Sequence, residues 1–123
     1  MNGRMSVADD FFAAIGACDV EAARAVYAPG AVIWHNTDGI EQDVPANLAV
    51  LGWMAANFSD RSYGEVRRHE WDTGFVQQHV LRMTKRDGTR VELRACVVAT
   101  VADGKVTRID EYLNPAEVAR IAG

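Results

Sequence analysis

His79 and Glu111 are the residues best placed to do chemistry, and hairpin geometry is what brings them together. Asp87-Gly88 and Asp103-Gly104 are turn signals that separate runs of strand-forming residues. With an even number of residues in each loop, His79 falls opposite Cys96 and Cys96 falls opposite Glu111. The three then form one row across adjacent strands, with the outer two backbones roughly 10 Å apart. Phe75, Gln77, Leu81 and Met83 share the face of His79, while Ile109 and Leu113 flank Glu111. A carboxylate left charged and unpaired on such a face is costly, so it must be paired or its pKa must rise. A carboxyl group of that kind beside an imidazole suits general acid–base catalysis near neutral pH. Two plainer readings stand beside this one. The pair could satisfy each other as core structure, or Arg94, on the same face by the same parity, could neutralise Glu111.

Other candidates carry the same double reading. His35 follows Trp34 at the end of a strand and could be a base at a pocket mouth, or a capping or solvent-facing histidine. Trp34 and Trp53 could line an apolar ligand site or simply fill the core. Cys96 sits mid-strand, where a buried structural thiol fits better than a nucleophile. Neither Cys18 nor Cys96 belongs to a CxxC or Cys/His metal spacing, and no nucleotide-loop or GxSxG motif occurs. The corresponding expectation is a protein that uses neither a metal nor a cofactor.

The elements that must position these residues are readable in order. Ser6 precedes a helical stripe of Val7, Phe11, Ala14 and Cys18, with Asp9 and Asp10 in its first turn. Gly16 weakens that helix near its end. Asp19 caps a second helix, Val20 to Tyr27, which Pro29-Gly30 stops, and residues 31–34 read as a strand. Asp43 and Pro45 open a third helix whose apolar positions are Val44, Leu48, Leu51, Ala55 and Phe58. Four strands follow, over residues 63–71, 75–85, 89–101 and 105–113, and then a last helical turn over residues 116–121. Helices first and an antiparallel meander after them predict an α+β fold, with the helices on one face of a curved sheet. The strand over residues 91–101 is apolar on both faces at its far end. The helices can cover only one side, and a second copy of the chain is the simplest cover for the other.

Composition narrows the classes further. The chain has 123 residues, enough for one domain spanning 1–123. Its hydrophobic fraction of 49% is ordinary for a globular chain and excludes a disordered one. Seventeen acidic residues against thirteen basic ones leave a net charge of −4, which argues against nucleic acid or an anionic membrane surface as partner. The only tight basic cluster, Arg67-Arg68, is flanked by Glu65 and Glu70. The opening MNGRMSVADD has no apolar stretch of the secretory kind, so the expected location is the cytoplasm.

Two stretches carry a family resemblance. One runs Phe11-Phe12-Ala13-Ala14-Ile15, Cys18-Asp19-Val20-Glu21-Ala22, Val26-Tyr27-Ala28-Pro29-Gly30-Ala31-Val32 and Trp34-His35-Asn36. The other is the run from Val101 through Asp103-Gly104-Lys105-Val106 to Ile109-Asp110-Glu111-Tyr112. Together they resemble SnoaL-like proteins of the nuclear transport factor 2 superfamily. The resemblance implies a cone-shaped, cystatin-like α+β barrel in which a curved antiparallel sheet wraps a long helix around an apolar cavity. Homodimers through the sheet are implied as well. The superfamily includes polyketide cyclases, ketosteroid isomerases, limonene epoxide hydrolases, dehydratases and non-catalytic binders. Its epoxide hydrolases carry Arg-x-Asp where this chain has Gln77-x-His79, and an aspartate at Glu111. Its ketosteroid isomerases carry a base near His35, and an oxyanion-binding tyrosine at Phe11, which has no donor to offer. Both standard mechanisms therefore lose a group here.

The expected function is a cofactor-independent isomerase, cyclase, hydrolase or dehydratase acting on a small apolar molecule. His79 is then the general base, held by Glu111 or working with it through a water. Gln77 orients substrate or water, and His35 is an auxiliary proton carrier near the entrance. Trp34, Trp53, Cys96 and Phe11 complete the pocket. The alternative is a binding or dimerisation module of the same fold.

Overall fold

The computed structural model describes residues 6–122. The N-terminal residues 1–5, part of the stretch read above for a secretory signal, lie outside that range. Helix α1 (Val7–Gly16) starts at a reciprocal cap, in which Ser6 Oγ accepts the Asp9 N–H at 3.0 Å and Asp9 Oδ2 accepts the Ser6 N–H at 3.1 Å. Its buried face is Ala8, Phe11, Phe12 and Ala14. Asp19 caps α2 (Val20–Val26), and Asp43 caps α3 (Val44–Asn57), which has Pro45 in its first turn. Pro29-Gly30 does not end α2. It falls inside β1 (Tyr27–His35), where the register shifts between Tyr27 and Val32 and Gly30 takes a φ of +78°. A short β2 (Glu41–Gln42) precedes α3, and a terminal helix α4 (Pro115–Ala122) closes the described chain.

The expected meander is present as β3 (Phe58–Trp71), β4 (Gly74–Lys85), β5 (Arg90–Ala102) and β6 (Lys105–Leu113). The six-stranded order is β2-β1-β6-β5-β4-β3. The architecture is the cone-shaped α+β fold, with two corrections. The sheet is mixed, because β1 runs parallel to β6, and it stays open between its β2 and β3 edges. Hairpin signals could not show either feature, since β1 joins the meander through a helix rather than a turn. Phe11 and Phe12 of α1 pack on Phe75, Val97 and Ile109 of the sheet to form the main core. Phe58, Leu81 and Met83 form a second cluster against Met54 and Ile121.

Two single-residue shifts alter the predicted rows. The β4–β5 loop is odd: Lys85 N–H bonds to Thr89 O, leaving Arg86, Asp87 and Gly88 in the turn. The Asp103-Gly104 loop has the expected two residues, both with positive φ, but a bulge between Thr100 and Val101 displaces the rest of the β5–β6 ladder. His79 therefore lies opposite Ala95, and Glu111 opposite Val97. Each shift flips Cys96 relative to one neighbouring strand. His79 and Glu111 consequently remain on one face together, and Cys96 is carried to the other.

Candidate functional site

A cavity of about 320 Å³ opens between the sheet and helices α1, α3 and α4. Its walls are mostly apolar, with Phe11, Phe12, Leu51, Met54, Val97 and Ile109 among them. Its polar groups are few: His35, Thr37, Asp38, Gln42, Asn47, Glu111, His79 and the two phenols of Tyr27 and Tyr63. Among the described residues, no lysine or arginine lines it. Nor do three or more His, Cys, Asp or Glu side chains gather as metal ligands.

Glu111 finds its partner on β1. His35 Nε2 lies 3.0 Å from Glu111 Oε1, and the two residues are register partners on the parallel strands. Asn36 secures that junction: its N–H donates to Glu111 O, its side-chain amide donates to Leu113 O, and its Oδ1 accepts the Leu113 N–H. The hydrogen bond to Glu111 raises the His35 pKa, burial opposes it, and the charges of Glu111 and Asp38 add to the rise. Arg94, the alternative partner for Glu111, points elsewhere. Its guanidinium lies 2.6 Å from Glu117 Oε2, and its own N–H donates to Glu117 Oε1.

His79 is buried on β4 and lines the same cavity. Phe12 and Tyr63 stand edge-on to its ring, with centroid distances of 5.7 Å and 4.5 Å. Burial lowers its pKa, against a smaller opposing effect of the Glu111 charge. Its Nδ1 lies 2.9 Å from Gln77 Nε2. Gln77, only 1% exposed, accepts at Oε1 from Arg68 Nε at 2.8 Å. Arg68 is held in turn by Asp9 Oδ1 at 2.6 Å and Glu70 Oε2 at 3.4 Å, with its guanidinium 5.3 Å above the Phe12 ring. Burial and the Glu111 charge push both tyrosine pKa values up, so the two phenols remain protonated. Tyr27 donates to Asn47 Oδ1 at 2.9 Å.

Of the residues singled out from the sequence, His35, His79, Glu111, Phe11 and Trp53 line the cavity. Trp53 is at its mouth, 48% exposed. Gln77 stands behind His79 rather than in the lining. Trp34 and Cys96 are corrections. Trp34 alternates with the inward-facing Ile33 and His35, and packs against Tyr112 with ring centroids 5.4 Å apart. Cys96 is register partner to that same Tyr112 on the face away from the cavity. Tyr27, Tyr63, Asp38 and Arg68 were not anticipated. The residue pattern makes Tyr27 a helix end, whereas it is the first residue of β1. Tyr63 lies between two register shifts of β3, which erase its parity. Arg68 was visible only as half of a basic doublet.

An open apolar hollow on the inner face of a curved sheet, carrying two carboxylates and two imidazoles, belongs to an α+β domain of NTF2-like fold. Residues 8–109 match the SnoaL-like domain, and the chain belongs to that family. A comparison with curated protein sequences finds no match. Among solved structures, a candidate polyketide cyclase from Xanthomonas campestris superposes with a TM-score of 0.81 at 18% identity, covering 95% of this chain and 94% of that one. An NTF2-like protein from Burkholderia xenovorans gives 0.73 at 24% identity, over 95% and 93% of the two chains. A protein of ketosteroid isomerase-like fold from Catenulispora acidiphila, solved with trimethylamine, gives 0.73 at 9% identity over 86% and 83%. These likenesses establish the fold alone.

Proposed function

We propose that this chain is a cofactor-independent acid–base enzyme acting on a small, largely apolar molecule that carries no negative charge. The observation behind this reading is the hydrogen-bonded His35–Glu111 pair in an apolar cavity that His79 also lines. Glu111 accepts the His35 Nε2–H, which leaves Nδ1 of the neutral imidazole as a basic lone pair and compensates the imidazolium once a proton arrives. The pair thus takes the base role that the sequence suggested for His79, whose Nδ1 is occupied by Gln77. A proton removed from a substrate carbon or water at one position and returned at another is the whole of a double-bond isomerisation and the proton-transfer part of cyclisation, hydrolysis and dehydration, where a water is also added to or expelled from the substrate. Two carboxylates, Asp38 and Glu111, and the absence of a lining cation among the described residues disfavour an anionic substrate.

The reading is tested by incubating the protein with a panel of small cyclic ketones and epoxides in D2O and following deuterium incorporation or hydration by NMR. Wild type should turn over at least one compound, while His35→Ala and Glu111→Gln should each slow that turnover by about 10² to 10⁴. Ligand bound in the cavity without exchange in wild type would establish the binding module instead, and undiminished exchange in both variants would take the base role away from the His35–Glu111 pair.

The second copy expected from the sequence belongs to the same reading. Val76, Cys96 and Val98 lie half-buried on the outer face of the central strands, beside Trp34 and the exposed Tyr112. Pairing two copies across that face would cover it without touching the cavity.

A further inference from the structure

We infer that Arg68, a residue outside the cavity lining, fixes His79 as a hydrogen-bond donor toward the cavity, so that the ligand must offer an acceptor oxygen there. The inference rests on the proposed function only for the occupant; the state of the imidazole follows from the protein's own hydrogen bonds.

A guanidinium can only donate. Its bond to Gln77 therefore consumes the amide oxygen and turns the amide nitrogen toward His79. Reversing the amide would set N–H groups against the guanidinium and lose that bond. An amide nitrogen can only donate, so Nδ1 must accept, and an imidazole nitrogen accepts only when it carries no proton. The single proton of neutral His79 then sits on Nε2. Protonating Nδ1 would bring two donors face to face, and the enclosing Phe12 and Tyr63 rings offer no compensation. Glu111 on β6 is the charged group that favours protonation, and its influence is smaller than that of burial.

Nε2 has no hydrogen-bond partner among the described residues, yet no fully buried side-chain nitrogen or oxygen there lacks one. Nε2 is therefore open to the cavity that His79 lines. It presents an N–H suited to a carbonyl, hydroxyl or ether oxygen. Asp9, the third residue of α1, and Glu70 on β3 pin the guanidinium from two elements, so the orientation passes from a helix N-terminus to the ligand through Arg68 and Gln77. Arg68 and Gln77 are positioning residues.

Imidazole 15N NMR of the full chain above neutral pH reads the tautomer directly. Wild type should show a protonated Nε2 and an unprotonated Nδ1. Arg68→Leu, which frees the amide to turn, should give a tautomer mixture, and Arg68→Lys should restore most of the wild-type pattern. Gln77→Glu should invert it, because a carboxylate accepts from Nδ1–H and leaves Nε2 as the lone pair. With 2-tetralone and tetralin as probes, Arg68→Leu should weaken the ketone about tenfold and leave the hydrocarbon unchanged. A wild-type Nδ1–H tautomer, or a tautomer indifferent to both Arg68→Leu and Gln77→Glu, would overturn the inference. The expected tautomer with neither probe bound would uphold the lock and count against the proposed occupant instead.

Discussion

His35 and Glu111 face each other across the parallel β1–β6 pair, and their side chains meet at 3.0 Å on the cavity side of the sheet. They end a single register row that crosses five strands. Arg68 pairs with Gln77, Gln77 with Val97, Val97 with Glu111, and Glu111 with His35. Val97 is the apolar spacer between the His35–Glu111 pair and Gln77, through which Arg68 reaches His79. His79, two residues along β4 from Gln77, is therefore linked to an amide rather than to a carboxylate. Two imidazoles in one cavity are thereby driven in opposite directions, His35 toward protonation and His79 away from it.

The first consequence concerns the pH profile. His35 accepts a proton only when neutral, so kcat/KM should rise with pH through an apparent pKa above the ordinary value of about 6.5. Glu111→Gln removes the principal cause of the rise and keeps the burial that opposes it. Its residual activity should fall by about 10² to 10⁴. Whatever activity remains should titrate at lower pH than in wild type. Parallel profiles for the two proteins would exclude His35 as the group that titrates.

The same two histidines should leave opposite marks on stability. His35, with a raised folded pKa, stabilises the fold fully below about pH 6.5, and that contribution disappears as pH rises through the folded value. His79, with a lowered folded pKa, contributes above about pH 6.5 and loses its contribution as pH falls through its folded value. Urea unfolding should accordingly show the deficit of His35→Asn shrinking toward alkaline pH. The deficit of His79→Asn should shrink toward acid pH. Deficits that move together would mean that the two environments have been misassigned.

Much of this arrangement is legible in the residues, and the rest is hidden for definite reasons. Ser6, Asp19 and Asp43 announce the first three helix starts because an N-cap is a local event. Glycine turns likewise mark the last two of the meander's three hairpins. Parity placed His79 and Glu111 on one face, but only because two shifts cancelled; Cys96, midway between them, was lost to the same shifts. The His35–Glu111 contact is invisible to such reasoning, since no turn connects β1 to β6 and nothing in the sequence sets their register. The reach of Arg68 to Gln77 is a matter of side-chain conformation, which periodicity does not carry.

The outer face makes a prediction that leaves the cavity untouched. Val98 is half-buried on β5, between Val76 and Asp110 in register. If two copies pair through this face, Val98→Glu puts a charge into a desolvated contact on both of them. Sedimentation velocity should then show a dimer for wild type and a monomer for the variant, with ligand binding retained. A wild-type monomer at tens of micromolar would remove the pairing and leave the site proposals intact.

The last prediction concerns the helix that helps to close the cavity. Val118 and Ile121 of α4 line it, and Glu117 ties that helix to β5 through the Arg94 N–H and guanidinium. The two partners are unequal: the Glu117 side chain is 7% exposed and that of Arg94 58%. Removing the buried partner leaves Arg94 free to hydrate, whereas removing the exposed one strands a carboxylate with a single backbone donor. The asymmetry of unsatisfied burial therefore makes Arg94→Ala costlier than its exposed position suggests, by about 1–3 kcal/mol in urea unfolding. Because α4 carries part of the lining, Arg94→Ala should also speed the release of a cavity-bound probe such as 2-tetralone. A change within about 0.5 kcal/mol, typical of an ordinary surface substitution, together with unchanged release, would show that α4 is held by its apolar face alone.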